Sequence, residues 1–170
     1  MKRQFTSLTP QEALHVAIFI EERNSELYHR FAEMFVEFRD VESLEIASVF
    51  WDMAAEERSH STMLQQRYGD LYGNRACSIT EEDLQELIEI PRLEDSDVFA
   101  STKDNNAAPA PERALQVALN AERQARTFYA SLAENTSDRA LKRIYTDLAE
   151  FELDHVEFLE KRIEQRSQKP

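Results

Sequence analysis

Four segments of this 170-residue chain carry apolar residues at alternating steps of three and four, each interrupted near its middle by one glutamate. The stripes are Leu14, Ile18, Glu21, Ser25, Tyr28, Ala32, Phe35, and then Ile46, Phe50, Met53, Glu57, His60, Leu64. They continue as Leu115, Ala118, Glu122, Ala125, Tyr129, Leu132, and finally Leu141, Tyr145, Leu148, Glu152, His155, Leu159. Such spacing is the seam of one helix packed on another, so the chain has to fold as helices whose faces meet. With two glycines in the whole chain, there is little material for a strand-rich fold or a Gly-rich phosphate loop.

Punctuation sets the order of the helices. Thr9, Pro10 and Glu12 form a capping box with proline at the first helical position, opening a helix over about 10–39. A second spans about 41–68, before Gly69 and Gly73. Thr80 and Asp83, with Ile79 and Leu84 as an apolar staple, open a short helix over about 80–90. Residues 91–110, with Pro91, Pro109 and a polar run, form a linker. Two further helices follow over about 111–134 and 138–165. The prediction is all-α: one domain over residues 1–170, a four-helix bundle of two helical hairpins joined by a long crossover containing a short helix.

The hairpins repeat. Glu21 through Tyr28 to Glu33 aligns with Glu122 through Tyr129 to Glu134 at an offset of 101, and Asp52 through Glu57 and His60 to Leu64 aligns with Asp147 through Glu152 and His155 to Leu159 at 95. The repeated residues include polar ones.

A net charge of −13, from 33 acidic and 20 basic residues, argues against a nucleic-acid-binding surface and suits a soluble one. Cys77 is the sole cysteine, so an internal disulfide framework and paired CxxC sites are ruled out. The apolar stretch Val16–Ile20 is too short for a signal core or a membrane span, which predicts a cytoplasmic protein with no membrane contact.

Four carboxylates in apolar seams pose an energetic problem. Each buried charge costs several kcal/mol unless paired, the four repel one another, and no lysine or arginine occupies the seams. Shared protons with raised pKa values, or bound metal, would relieve them. Glu57-x-x-His60 and Glu152-x-x-His155 favour metal, because each motif sets a carboxylate and an imidazole one turn apart on one helix face. Four glutamates match the charge of two divalent ions. Oxygen donors mixed with imidazole suit iron or manganese rather than calcium, and the lack of thiolates argues against structural zinc.

These residues resemble the rubrerythrin branch of the ferritin-like superfamily. The likeness covers roughly 10–68 and 111–163, with Glu-x6-Tyr on the first and third helices and Ala-x-x-Glu-x-x-His on the second and fourth. It implies a pair of iron ions, with Mn/Fe or Mn/Mn as alternatives. Glu57 and Glu152 would bridge the ions, Glu21 and Glu122 would be terminal ligands, and His60 and His155 would supply one imidazole each. It also implies that Tyr28 and Tyr129 hydrogen-bond to ligand carboxylates. The activity implied is reduction of hydrogen peroxide or dioxygen, with peroxide scavenging the leading role.

Two positions depart from the rubrerythrin pattern. Ala125 stands where rubrerythrins carry a second glutamate on the third helix, and the four cysteines of a rubredoxin module are missing, so electrons would come from another protein. The stretch after Tyr68-Gly69 also resembles the N-terminal domain of erythrin-type ferritins. Two other functions compete with peroxide reduction: a ferroxidase that stores or delivers iron, and a metal-free helical interaction module whose seam acids share protons.

Helical phase sends Glu22, Glu56 and Glu150 to solvent. His15 and His29 fall outside the ligand pattern. Trp51 is expected to pack, and Met34, Phe35, Phe38, Met53 and Met63 to supply core or interface. Phe19, Ile20, Leu27 and Phe31 widen the first helix's apolar face enough to suggest a homodimer.

Overall fold

The computed structural model describes residues 7–80, 82–84 and 110–168. Helix α1 (Pro10–Glu37) begins with the expected capping box: Glu12 N–H donates to Thr9 Oγ1 at 3.2 Å, and Thr9 N–H donates to Glu12 at 2.9 Å. It ends at Glu37 rather than residue 39, because Arg39 turns the chain at φ 58°. Asp40 then caps α2 (Val41–Tyr72), accepting the Ser43 N–H at 2.8 Å.

Helix α2 continues past the expected end at residue 68. Gly69 remains helical, and Gly73, at φ 58°, is the residue that stops it. Helix α3 spans Ala110–Asn135. Asp138 accepts the N–H groups of Ala140 and Leu141 to open α4 (Arg139–Ser167). In the crossover Thr80 and Asp83 exchange hydrogen bonds, Ile79 and Leu84 are buried, and residues 82–84 are helical. The remainder of the expected 80–90 helix and the 91–109 linker lie outside the described residues.

Helix α1 packs along α2 and α3 along α4, while α1 also meets α3. The fold is therefore all-α, a ferritin-like bundle of two hairpins, with no strand among the described residues. Two apolar clusters fill it. One contains Leu14, Ile18, Leu64, Phe128, Leu132 and Leu148; the other contains Leu27, Phe31, Phe50, Met53, Leu115 and Val156. On each helix the seam glutamate falls where the chain passes from one cluster to the other. Glu57, for instance, lies between Met53 and Leu64. The acids thus occupy a layer with an apolar plug on either side.

Some apolar residues sit elsewhere than expected. Ile20, Leu27 and Phe31 are buried within the chain and offer no free face to a second copy, while Phe19 is only partly buried. Trp51 does not pack in the core; it is 44% exposed. Phe35 and Met53 are core residues, Met34 packs against the core, and Phe38 and Met63 are exposed.

Candidate metal centre

All six expected ligand residues converge. Glu21, Glu57, Glu122 and Glu152 are wholly buried, and the side chains of His60 and His155 are only 15% and 11% exposed. His60 Nδ1 lies 3.3 Å from Glu21 Oε2 and 3.7 Å from Glu57 Oε2. His155 Nδ1 lies 3.3 Å from Glu57 Oε1, 3.5 Å from Glu122 Oε1 and 4.0 Å from Glu152 Oε2. Among the described residues, these two imidazoles are the only ion-pair partners of the four carboxylates.

Ligand atoms fall into two groups, each within 4.8 Å: Glu57, Glu122, Glu152 with His155, and Glu21, Glu57 with His60. Glu57 belongs to both. Glu152, expected to bridge as well, belongs to the His155 group alone.

Protons on the histidines and on some of the carboxyls offset the charge of the layer. Burial, and then the Glu57 charge, raise the Glu21 carboxyl well above its usual range. Burial followed by Glu122 and Glu57 does the same to Glu152. Burial would raise Glu57 too, but contacts with Glu21, His155 and His60 outweigh it and hold this carboxylate at about 2. Desolvation disfavours charge on the imidazoles, yet Glu21 and Glu57 lift His60 to about 10, and Glu122 and Glu57 lift His155 to about 11.

Hydrogen bonding remains incomplete. Both oxygens of Glu57, Glu122 and Glu152, Glu21 Oε2, and Nδ1 of both histidines have no hydrogen-bond partner. Buried polar atoms are nearly always satisfied, and these orphaned donor atoms all face one another. Carboxylate oxygens with one imidazole nitrogen per group form a donor set that fits divalent iron or manganese.

The tyrosines cross between repeats. Tyr129, on α3, donates to Glu21 Oε1 on α1. Tyr28, on α1, lies beside Glu122 on α3. Burial and then those carboxylates raise both phenols, which keeps them protonated; Tyr129 makes its hydrogen bond, whereas the Tyr28 OH is buried without a partner.

Of the acids beside the motifs, Glu150 is exposed, and Glu22 is exposed while accepting from Gln65 Nε2 at 2.6 Å. Glu56 faces solvent as expected and makes one contact that was not expected. It is 59% exposed, yet its Oε2 sits 2.9 Å from His155 Nε2. Its phase does put it at the surface, and the side chain is long enough to reach back across the α2–α4 junction as well. His15 packs near the Tyr68 ring and His29 pairs with Glu33 at 3.5 Å, both away from the layer.

A buried layer of four carboxylates and two imidazoles between apolar plugs defines a carboxylate-type metal bundle. The family model for Rubrerythrin matches residues 12–104 and 113–170, and the chain belongs to that family. Membership points to a di-iron carboxylate protein, and the two donor groups could hold the metal. The crystal structure of an uncharacterized conserved protein from Magnetospirillum magnetotacticum is similar. It is 28% identical, has a TM-score of 0.68, and the match covers 93% of this chain and 95% of that one. No curated protein matches the sequence. No described helix is long and apolar enough to cross a membrane.

Proposed function

We propose that this protein is a non-haem di-iron oxidoreductase that reduces hydrogen peroxide or dioxygen. One observation carries the reading: two buried donor groups share Glu57 and, among the described residues, have no protein cation other than their own histidines. Glu21, Glu57, Glu122, Glu152, His60 and His155 would hold two iron ions, with manganese in one or both positions as an alternative. When bound, the ions supply one electron each and an open position for a small oxygen species.

The chain's own residues do the rest. Tyr129 occupies Glu21 Oε1 and leaves Oε2 toward the centre, while Tyr28 lies beside Glu122 with its OH unpaired and available to a ligand carboxylate. The apolar clusters exclude water from both ends of the layer. The histidine edges are the parts of the site that reach the surface, so a small oxidant would approach along the α2–α4 face. An electron-donor protein and a cytoplasmic setting complete the proposal.

A second reading, ferroxidase and iron delivery, has one observation of its own. A groove of 680 Å³ along α1 and α2 is lined by Glu22, Glu26 and His29 and reaches Ser25 and Ser61, each four residues beyond a proposed ligand. Two glutamates against one arginine, Arg58, leave the groove acidic on balance, which suits passage of a cation.

Kinetics separates the two. Protein loaded with two Fe(II) per chain should consume one peroxide per two irons oxidised and turn over again with a reductant. Sustained oxidation of Fe(II) beyond two equivalents would instead identify a ferroxidase. Peroxide consumption no faster than that of free Fe(II) would defeat the oxidoreductase.

A further inference from the structure

The repeat puts Glu56 and Phe151 in equivalent positions, 95 residues apart, each directly before a ligand glutamate. Their chemistry differs. Glu56 reaches from α2 to His155 on α4, with Oε2 2.9 Å from Nε2, while Nδ1 of that ring faces Glu57 and Glu122 at 3.3 and 3.5 Å. Phe151 reaches from α4 to His60 on α2, the ring centroids 5.1 Å apart and the planes inclined at 40°. Inside the layer both imidazoles turn Nδ1 toward carboxylates. On their outer edges one meets a carboxylate and the other an aromatic ring.

Resting on the metal reading above, we propose that the two halves of the centre are unequal: the His155 half, its ring held by Glu56, takes and keeps the first metal ion, while the His60 half takes the second and exchanges it. A carboxylate accepting Nε2–H fixes the tautomer that leaves the Nδ1 lone pair facing inward, and it makes that nitrogen a stronger donor. Phe151 can accept no such hydrogen bond in the plane of the His60 ring. Ligand number points the same way, since the His155 group has four donors and the His60 group three. Glu56 is thus a positioning residue that acts through His155.

The test is an anaerobic titration of the metal-free full chain with Co(II), followed by its visible ligand-field absorption. Two steps are expected, separated by about tenfold or more in affinity. His155→Ala should remove the tighter step and His60→Ala the weaker. Glu56→Ala should weaken the tighter step by about 10- to 100-fold and leave the other in place, with Glu56→Gln, which keeps the acceptor and loses the charge, falling between. Phe151→Glu should tighten the weaker step, a gain that damage to the fold cannot produce. Two equal steps, or unequal steps that neither Glu56→Ala nor Phe151→Glu moves, would overturn the inequality and leave the metal reading standing. Failure to bind Co(II) at all would overturn the metal reading itself.

Discussion

At the scale of single residues, burial lifts the carboxyls of Glu21 and Glu152, and the carboxylates around them lift His60 to about 10 and His155 to about 11. Without metal, both imidazoles therefore carry protons at neutral pH. Their folded values exceed the usual 6.5, so this pairing contributes its full stability below pH 6.5 and loses it as pH rises through about 10. A metal ion needs the neutral ring, so loading must expel those protons. Adding Mn(II) at pH 7.5 should release protons in a pH-stat, and the rise in Tm on loading should be larger at pH 8.5 than at pH 6.5; loading without proton release would contradict this. Tyr129→Phe frees Glu21 Oε1 from its donor and should weaken metal binding by about tenfold, read by equilibrium dialysis. The six residues that cluster were legible in the sequence because the glutamates interrupt periodic seams and, with the histidines, recur in the repeat. The tyrosine exchange was not, since it depends on how α1 and α3 register against one another. Helical phase placed Glu56 at the surface correctly but said nothing of its reach to His155, for which the Glu56/Phe151 mismatch in the repeat was a usable signal.

At the scale of elements, capping chemistry located the first helix start at Thr9, and the structure shows Asp40 and Asp138 accepting backbone N–H groups at the starts of α2 and α4 in the same way. The ends were harder to see. A glycine inside a helix and a glycine that ends one look the same in sequence, and only φ separates them. Gly69 is helical with open space around its Cα, so Gly69→Ala should stabilise by about 0.5–1 kcal/mol. Gly73 also has space but sits at φ 58°, so Gly73→Ala should destabilise by about 1 kcal/mol. Thermal denaturation of the two variants should move in opposite directions; movement in the same direction would show that the helix end is misassigned. Tertiary ties reinforce these boundaries. Ser78 Oγ donates to Glu12 at 2.6 Å, and Arg166 bridges Glu42 and Glu112 at 3.1 and 3.0 Å, drawing together α2, α3 and α4.

For the whole molecule, the width of the first helix's apolar face was misread as an interface, because a bundle helix that contacts two neighbours buries two faces. The exposed apolar residues now include Leu44 and Trp51 on α2. A homodimer therefore remains a proposal centred on that helix: sedimentation should show two copies, with Trp51 fluorescence shifting to the blue on association, and a monomer at working concentration would remove it. The net charge of −13 divides by location. Most of it solvates the surface, whereas four acids lie in a buried layer that protons relieve only in part. That layer is the centre of the account, and metal analysis tests it most directly. Protein purified without chelator should contain two iron or manganese ions per chain, and the Glu57→Ala, Glu152→Ala variant should contain almost none. Equal, sub-stoichiometric metal in both would contradict the assignment.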